Sequence, residues 1–142
     1  MTPGARVLAV MEILDDYLLG KPENKLLLNW FRRNRYAGSK DRLAIRNLFF
    51  NCLRYKLSCS WPFEQAGFSI TGRSIVLGML TLSGECFDQI FDGMQYSPKN
   101  LSNLEKIVID NFDENILIAP AFVKLNFPEF LEDSFKNSFG NG

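Results

Sequence analysis

The spacing of apolar residues along the chain indicates helices almost throughout. Apolar side chains recur at intervals of three and four, which is the pattern of amphipathic helices. The first run follows Thr2 and Pro3, a capping residue and a proline suited to the first helical position. Gly20 is expected to end this helix, because the residue just past a helix end often adopts a left-handed conformation. The predicted apolar face consists of Val7, Val10, Met11, Leu14, Tyr17 and Leu18.

Two further helices are predicted in the next part of the chain. Pro22 opens the second helix, and after a glycine break Ser39 is predicted to cap a third that runs to about residue 57. The third helix is apolar around most of its circumference, a pattern typical of a central helix in a bundle. Leu48 and Phe49 are therefore expected to be almost fully buried. The predicted core face of the second helix is Leu27, Trp30 and Phe31.

Punctuating residues divide the middle of the chain. The stretch 58–70 contains Pro62 and Gly67, so we predict that it connects two helices. Thr71 is expected to cap a fourth helix, and Gly84 is expected to end it.

The remaining predicted helices are shorter. Residues 86–91 are predicted to form a short helix, and a capping box at Ser102 and Glu105 opens another. The segment 116–123 stays ambiguous because a proline interrupts it, and Pro128 is expected to start a last helix. Since no stretch alternates as a strand does, the sequence predicts one all-α bundle of about six to eight helices.

Charge is distributed very unevenly along the chain. The 142 residues sum to a net charge of zero, but residues 21–56 carry ten basic and two acidic side chains, an excess of +8. Residues 85–142 carry ten acidic and four basic side chains, an excess of −6. A neutral protein with one strongly basic segment favours a polyanionic partner held at one place, with RNA or DNA as the first candidate.

The candidate binding residues surround the predicted break between the second and third helices. Tyr36 lies among them, and its ring is suited to stack on a base. The alternative is that these cations only solvate helix surfaces, with Arg42 paired to Glu12 or Asp16 of the first helix. Asp41 is expected to favour the first turn of its helix through the helix dipole. The candidates are Arg32, Arg33, Arg35, Tyr36, Lys40, Arg42 and Arg46.

The sequence contains no recognisable catalytic constellation. Histidine, the commonest general base and metal ligand, is absent, and no glycine-rich nucleotide loop is present. Cys52, Cys59 and Cys86 lack the spacing of a metal site and are expected to be buried free thiols in a reducing cytosol. No apolar run approaches the roughly 18–20 residues of a membrane span, and no signal peptide is recognisable. We expect a cytoplasmic domain with no cofactor or metal of its own and no membrane partner.

Residues 34–54, NRYAGSKDRLAIRNLFFNCLR, resemble the N-terminal region of the RsmB (Sun/Fmu) family of rRNA 5-cytosine methyltransferases. Residues 2–22 and 127–140 are similar to the same family, with Phe130 where the family usually has Trp. The resemblance covers essentially the whole chain and is weakest at 58–100. It implies the fold of NusB, an all-α RNA-binding antitermination factor.

The resemblance also implies a function and a domain organisation. Residues 1–126 would form a non-catalytic NusB-like domain that binds rRNA through the basic candidates above. Residues 127–142 would begin the linker to a methyltransferase domain of the same polypeptide, which supplies the S-adenosylmethionine site and the nucleophilic cysteines and is not within this sequence. Residues 54–57, RYKL, are less basic than the arginine runs often found there, which limits the expected RNA footprint along the third helix.

Two alternative functions stay open from the sequence. One is a free-standing antitermination-type factor that binds RNA and docks protein partners. The other is a pure interaction module whose acidic half docks a basic partner. The last predicted helix discriminates between a domain that continues into an enzyme and a complete factor. The former should expose an apolar stripe there, and the latter should bury it. That stripe consists of Phe127, Phe130, Leu131 and Phe135.

Overall fold

The computed structural model describes residues 1–124, and within that range the chain is all-helical, with eight helices and no strand. The predicted all-α bundle of six to eight helices is confirmed. The predicted helix at Pro128 and its apolar stripe lie outside the described residues. None of the described helices has the length and apolar character that crossing a membrane requires. The helices are α1 Pro3–Leu18, α2 Glu23–Arg33, α3 Ser39–Arg54, α4 Lys56–Gln65, α5 Gly72–Leu82, α6 Asn103–Asp110, α7 Phe112–Leu117 and α8 Ala121–Lys124.

Helix α1 begins as predicted and lies in the centre of the N-terminal half. The Thr2 hydroxyl accepts a hydrogen bond from the Ala5 N–H at 3.1 Å, and Pro3 occupies the first turn. Of the predicted apolar face, the first four members are buried, whereas Tyr17 and Leu18 are half-buried. The helix packs against α2, α3 and α5. Gly20, with φ of +93°, follows its end in the left-handed region, as predicted.

Helix α2 covers one side of α1 with a short apolar face. Leu27 and Trp30 are buried as predicted, and Leu26 joins them. Phe31 is only half-buried and lies edge-on to the Trp30 ring at 5.9 Å between centroids. The opposite side of α2 faces solvent, so its cationic residues are free to meet an external partner.

The start of α3 differs from the prediction in its capping residue. Ser39 is the first residue of the helix, and Gly38 is the cap. The Gly38 carbonyl accepts the first helical hydrogen bond, from Arg42 N–H at 2.9 Å. Asp41 reaches back and accepts from the Gly38 N–H at 3.1 Å. The Asp41 side chain thus bonds the N–H of the cap residue, and Ser39 does not act as the cap that the sequence predicted.

Helix α3 is amphipathic rather than enclosed on all sides. It ends at Arg54, three residues before the predicted bound. Phe49 is fully buried, as expected, but Leu48 is only half-buried. The prediction that Leu48 is almost fully buried is wrong, because the helix packs on α1, α4 and α5 along one side and is open to solvent along the other.

The predicted connection 58–70 is wrong over its first half, which is helix α4. Pro62 lies inside this helix, where proline normally disfavours the fold. Packing outweighs that cost, since Pro62 and Phe63 are both buried and α4 makes its most extensive contact with α5. The approach is close enough that a Cβ at Gly78 of α5 would overlap the Cys59 carbonyl oxygen. A Cβ at Gly72 would overlap a backbone carbonyl of α1 in the same way.

Helix α5 has the predicted ends, but the segment after it does not form the predicted helix. Thr71 caps α5 by accepting from the Ser74 N–H, and Gly84 has a φ of +71°. Residues 86–91 make a single turn, in which the Phe87 carbonyl accepts from the Phe91 N–H at 2.8 Å. The same carbonyl also accepts from the Ile90 N–H at 3.0 Å, and Ile90 and Phe91 are buried.

The C-terminal described helices close the bundle. The predicted capping box opens α6, with Ser102 Oγ accepting from Glu105 N–H at 3.1 Å and Glu105 Oε1 accepting from Ser102 N–H at 2.9 Å. The ambiguous segment 116–123 contains the end of α7 and most of α8. Ser58 donates to the Val123 carbonyl at 3.0 Å, which fastens α8 to the buried start of α4.

Candidate RNA-binding surface

All seven sequence-predicted candidates are exposed in the structure. They follow one another from the last turn of α2, through the short α2–α3 turn, into the first two turns of α3. We call these residues the basic surface. Its members are Arg32, Arg33, Arg35, Tyr36, Lys40, Arg42 and Arg46.

The α2–α3 turn is held by its own hydrogen bonds. Asn34 donates to the Trp30 carbonyl from both its backbone N–H and its side chain, at 3.0 and 2.8 Å. Ala37 is buried, and its N–H donates to the Asn34 carbonyl at 3.1 Å. Arg42 Nε then donates to the Ala37 carbonyl at 3.1 Å. Arg35 and Tyr36 therefore lie at an exposed tip that is anchored on both sides.

The one carboxylate within the basic surface is neutralised from α1. Arg6 contacts Asp41 Oδ1 through both Nε and Nη2 at 2.8 Å, and the N-terminal amino group lies 3.6 Å from Asp41 Oδ2. The Arg6 hydrogen bond lowers the pKa of Asp41, with help from the Gly38 N–H and against the opposing effect of burial. Asp41 is thus ionised and fully engaged at neutral pH, so it does not cancel the charge of its neighbours.

The predicted pairing of Arg42 with Glu12 or Asp16 is wrong. Arg42 bonds instead to a backbone carbonyl, and Asp16 pairs with Lys21 at 3.4 Å. The ion pair that joins α1 to α3 is made instead by Arg6 of α1 and Asp41 of α3. The sequence did not single out Arg6. The arginines and the lysine of the basic surface have no carboxylate partner among residues 1–124.

Acidic groups do approach the basic surface at one edge. Arg33 lines a shallow pocket together with three carboxylates of α1. One of them, Asp15, is exposed and accepts a hydrogen bond from the Gly72 N–H at 2.7 Å. A polyanion is consequently better accommodated on the α3 side of the surface than on the α1 side. The three carboxylates belong to Glu12, Asp15 and Asp16.

The outward side of α3 extends the surface in a direction that sequence reasoning missed. Residues four apart lie on one face of a helix, and Arg42, Arg46 and Phe50 are exposed in such a row. The row continues to Arg54, whose guanidinium lies 5.1 Å from the Tyr55 ring centroid. Phe50 continues the four-residue spacing of Arg42 and Arg46, which places it on the polar side of the helix.

Tyr36 borders a pocket that the sequence did not indicate. The pocket measures about 470 Å³ and contains no carboxylate in its lining. Tyr96, from the loop between α5 and α6, also lines it. The lining residues are Met1, Thr2, Ala5, Tyr36, Gln95 and Tyr96.

Possible metal ligands and thiols are the remaining groups of chemical interest among the described residues. They contain no cluster of three or more side chains able to hold a metal ion. Burial raises the pKa of the Cys52 and Cys59 thiols, so both stay protonated at neutral pH and are poor nucleophiles. Cys86 is exposed, contrary to the prediction that all three thiols are buried.

Comparison with known proteins adds no relative. No family model, no curated protein and no solved structure matches this chain. The resemblance of residues 34–54 to the RsmB family therefore carries the only family hypothesis.

Proposed function

We propose that this chain is a NusB-like RNA-binding domain that positions rRNA for an S-adenosylmethionine-dependent cytosine-5 methyltransferase domain of the same polypeptide. The observation that carries the proposal is the basic surface. Its cations are exposed and, among the described residues, without carboxylate partners, while Asp41 in their midst is held by Arg6.

The chemistry of the surface suits phosphate contact. Lysine and arginine side chains that neutralise phosphates release condensed counterions, and this release supplies sequence-independent affinity. Such contacts fix the position and orientation of the nucleic acid but do not select its sequence. The proposed role is therefore to hold rRNA, while target choice and methyl transfer belong to the catalytic domain.

The salt dependence of RNA binding tests this role. The proposal predicts that replacing Arg33 and Arg35 together by Ala lowers the slope of log affinity against log salt by about 1–2, because each phosphate contact contributes ~0.7–0.9. Fluorescence anisotropy with a structured RNA across a salt series measures the slope. A Lys99/Lys106 double Ala variant is the matched control, since it removes the same charge from the acidic half of the chain.

The control variant should retain the slope of the unmodified protein. If the Arg33/Arg35 variant also retains it, the basic surface is only solvated, and the interaction-module alternative takes precedence.

One observation favours protein docking as a second candidate function. The C-terminal described helices expose several large apolar side chains, which is a feature of protein-docking surfaces. Such a surface fits a catalytic domain in the same polypeptide, and it also fits a separate protein partner of an antitermination-type factor. The exposed side chains are Leu104, Ile107, Leu117, Ile118 and Phe122.

A further inference from the structure

We infer that the pocket between Tyr36 and Tyr96 binds an unpaired base of single-stranded RNA. The inference rests on the proposed RNA-binding function and adds a contact to the base rather than to phosphate. Both tyrosines are unusually exposed for aromatic residues, at 70% and 73% of their surface. They line the same pocket from separate loops and make no ring contact with each other. Each ring therefore has a face open to a third planar group.

The position of Tyr96 is fixed by the loop that carries it. Its φ of +62° makes it the only non-glycine residue with positive φ among residues 1–124. It occupies the third position of a turn closed by a hydrogen bond from Ser97 N–H to the Met94 carbonyl at 3.0 Å. Glycine or asparagine is favoured there, and a bulky side chain is strained. The loop thus carries an aromatic side chain at a position whose positive φ disfavours bulky residues.

The loop is also seated on the start of α1. A Cβ at Gly4 would overlap the Ser97 hydroxyl and approach the Ile90 carbonyl oxygen. A hydrogen bond from Gly93 N–H to the Pro98 carbonyl at 3.1 Å closes the loop around the Tyr96 turn. Since the Tyr36 turn is anchored independently, the pocket has two supported walls.

The surroundings favour a base over other planar ligands. The lining is mainly apolar and has no carboxylate, unlike the pocket beside Arg33. Tyr36 follows Arg35 directly in the chain, so a positive charge lies next to one of the two tyrosines. A group that joins a flat apolar face to a phosphate matches this combination. Stacking on aromatic rings is how proteins hold unpaired bases without selecting sequence. Gln95 also lines the pocket, and we expect its amide to bond a base edge.

The experiment compares single-stranded and duplex RNA of equal length. Tyr36→Ala and Tyr96→Asn remove one ring each, and Asn tolerates the left-handed backbone at 96. Each should weaken single-strand binding by about fivefold to 150-fold, leave duplex binding unchanged and leave the salt slope unchanged. Tyr36→Phe and Tyr96→Phe should bind as the unmodified protein does. Phe122→Ala, which removes a ring exposed to 60% outside the pocket, is the matched control and should have no effect.

The outcomes separate this inference from the proposed function. Unchanged single-strand affinity in both ring-deleted variants overturns the base pocket but leaves phosphate binding standing. Equal weakening for duplex RNA, or failure of the Phe variants to restore affinity, also overturns it. No binding of either RNA by the unmodified protein overturns both proposals.

Discussion

The inner and outer sides of α3 differ in whether their charged and aromatic side chains are buried or paired within the fold. On the inner side Ile45, Phe49 and Cys52 are fully buried, and Asp41 is held in an ion pair by Arg6. On the outer side Arg42, Arg46 and Phe50 are exposed in a row. Charge and aromatic surface are thus used for stability on one side and left available on the other.

The difference shows that burial and partners, rather than residue type, indicate a binding role. Arg6 and Arg73 are each tied to a carboxylate with low exposure, Asp41 and Glu105 respectively. The arginines of the basic surface have no such partner among the described residues. A side chain whose charge is already compensated inside the fold has little left to offer an external anion.

The largest expected effect comes from neighbouring phenylalanines on the two sides of α3. Phe49→Ala should lower the free energy of unfolding by about 3–5 kcal/mol, because Phe49 has no exposed surface and its loss leaves a cavity. Phe50→Ala should cost less than about 1 kcal/mol, since Phe50 is 43% exposed. Urea unfolding of the two variants measures both values. Equal losses would show that α3 has no free side.

A second, smaller effect separates a paired arginine from an unpaired one. Arg73 Nε and Nη2 contact the two oxygens of Glu105 at 2.7 and 2.9 Å. The Arg73 guanidinium also lies over the Phe91 ring, 5.2 Å from its centroid. Arg73→Ala should cost about 2 kcal/mol, less than a deeply buried pair because 27% of the Arg73 side chain stays exposed. Arg46→Ala should change stability by less than about 0.5 kcal/mol.

RNA binding should show the reverse order for the same two variants. Arg46→Ala should lower the salt slope by ~0.7–0.9, whereas Arg73→Ala should leave it unchanged. Denaturation and anisotropy on the same preparations measure both properties. A loss of stability in the Arg46 variant would mean that Arg46 is part of the fold rather than of the basic surface.

The pH dependence of stability gives the smallest expected effect. Burial raises the pKa of Glu105, but hydrogen bonds from Arg73 and Ser102 outweigh it, so the net pKa is lowered, as it is for Asp41. Because the unfolded chain binds these protons more readily, both carboxylates contribute stability that is complete above about pH 5 and is lost as pH falls through the folded pKa values. Glu105→Gln should flatten this acid-side loss in melting curves taken across pH.

Asp113 provides the control of opposite sign. Burial raises the pKa of Asp113, so its ionised form is disfavoured in the folded protein. Its contribution to stability is therefore present at low pH and is lost as pH rises through the folded pKa. Asp113→Asn should raise the melting temperature at neutral pH. A fall there would show that the carboxylate is stabilised rather than disfavoured by its site.

The sequence predicted the parts of the fold that local chemistry decides. The caps at Thr2, Thr71 and Ser102 lie where hydroxyl and spacing rules put them, since the partners are within a few residues. Helix α4 was missed because Pro62 was interpreted as a break. Packing against α5 outweighs the unfavourable effect of this proline on the helix, and a local sequence pattern contains no information about that packing.

For the candidate site, too, local features could be predicted from the sequence and contacts between distant residues could not. The exposure of the basic surface followed from the excess of cations in 21–56, which cannot all be paired locally. The identity of the paired arginine did not follow, because Arg6 and Asp41 are separated by 35 residues. Tyr96 was missed for the same reason, since only the folded loop brings it beside Tyr36.

The close backbone approaches of α5 have a consequence in evolutionary terms. At Gly72 and Gly78 a single methyl group would collide with carbonyl oxygens of two different helices, one of α1 and one of α4. Drift at these positions would move whole helices rather than adjust side chains, so distant relatives with this fold should retain both glycines while their surfaces diverge. The two glycines, together with the Thr71 cap that precedes them, should therefore help to identify homologues whose overall sequence identity is low.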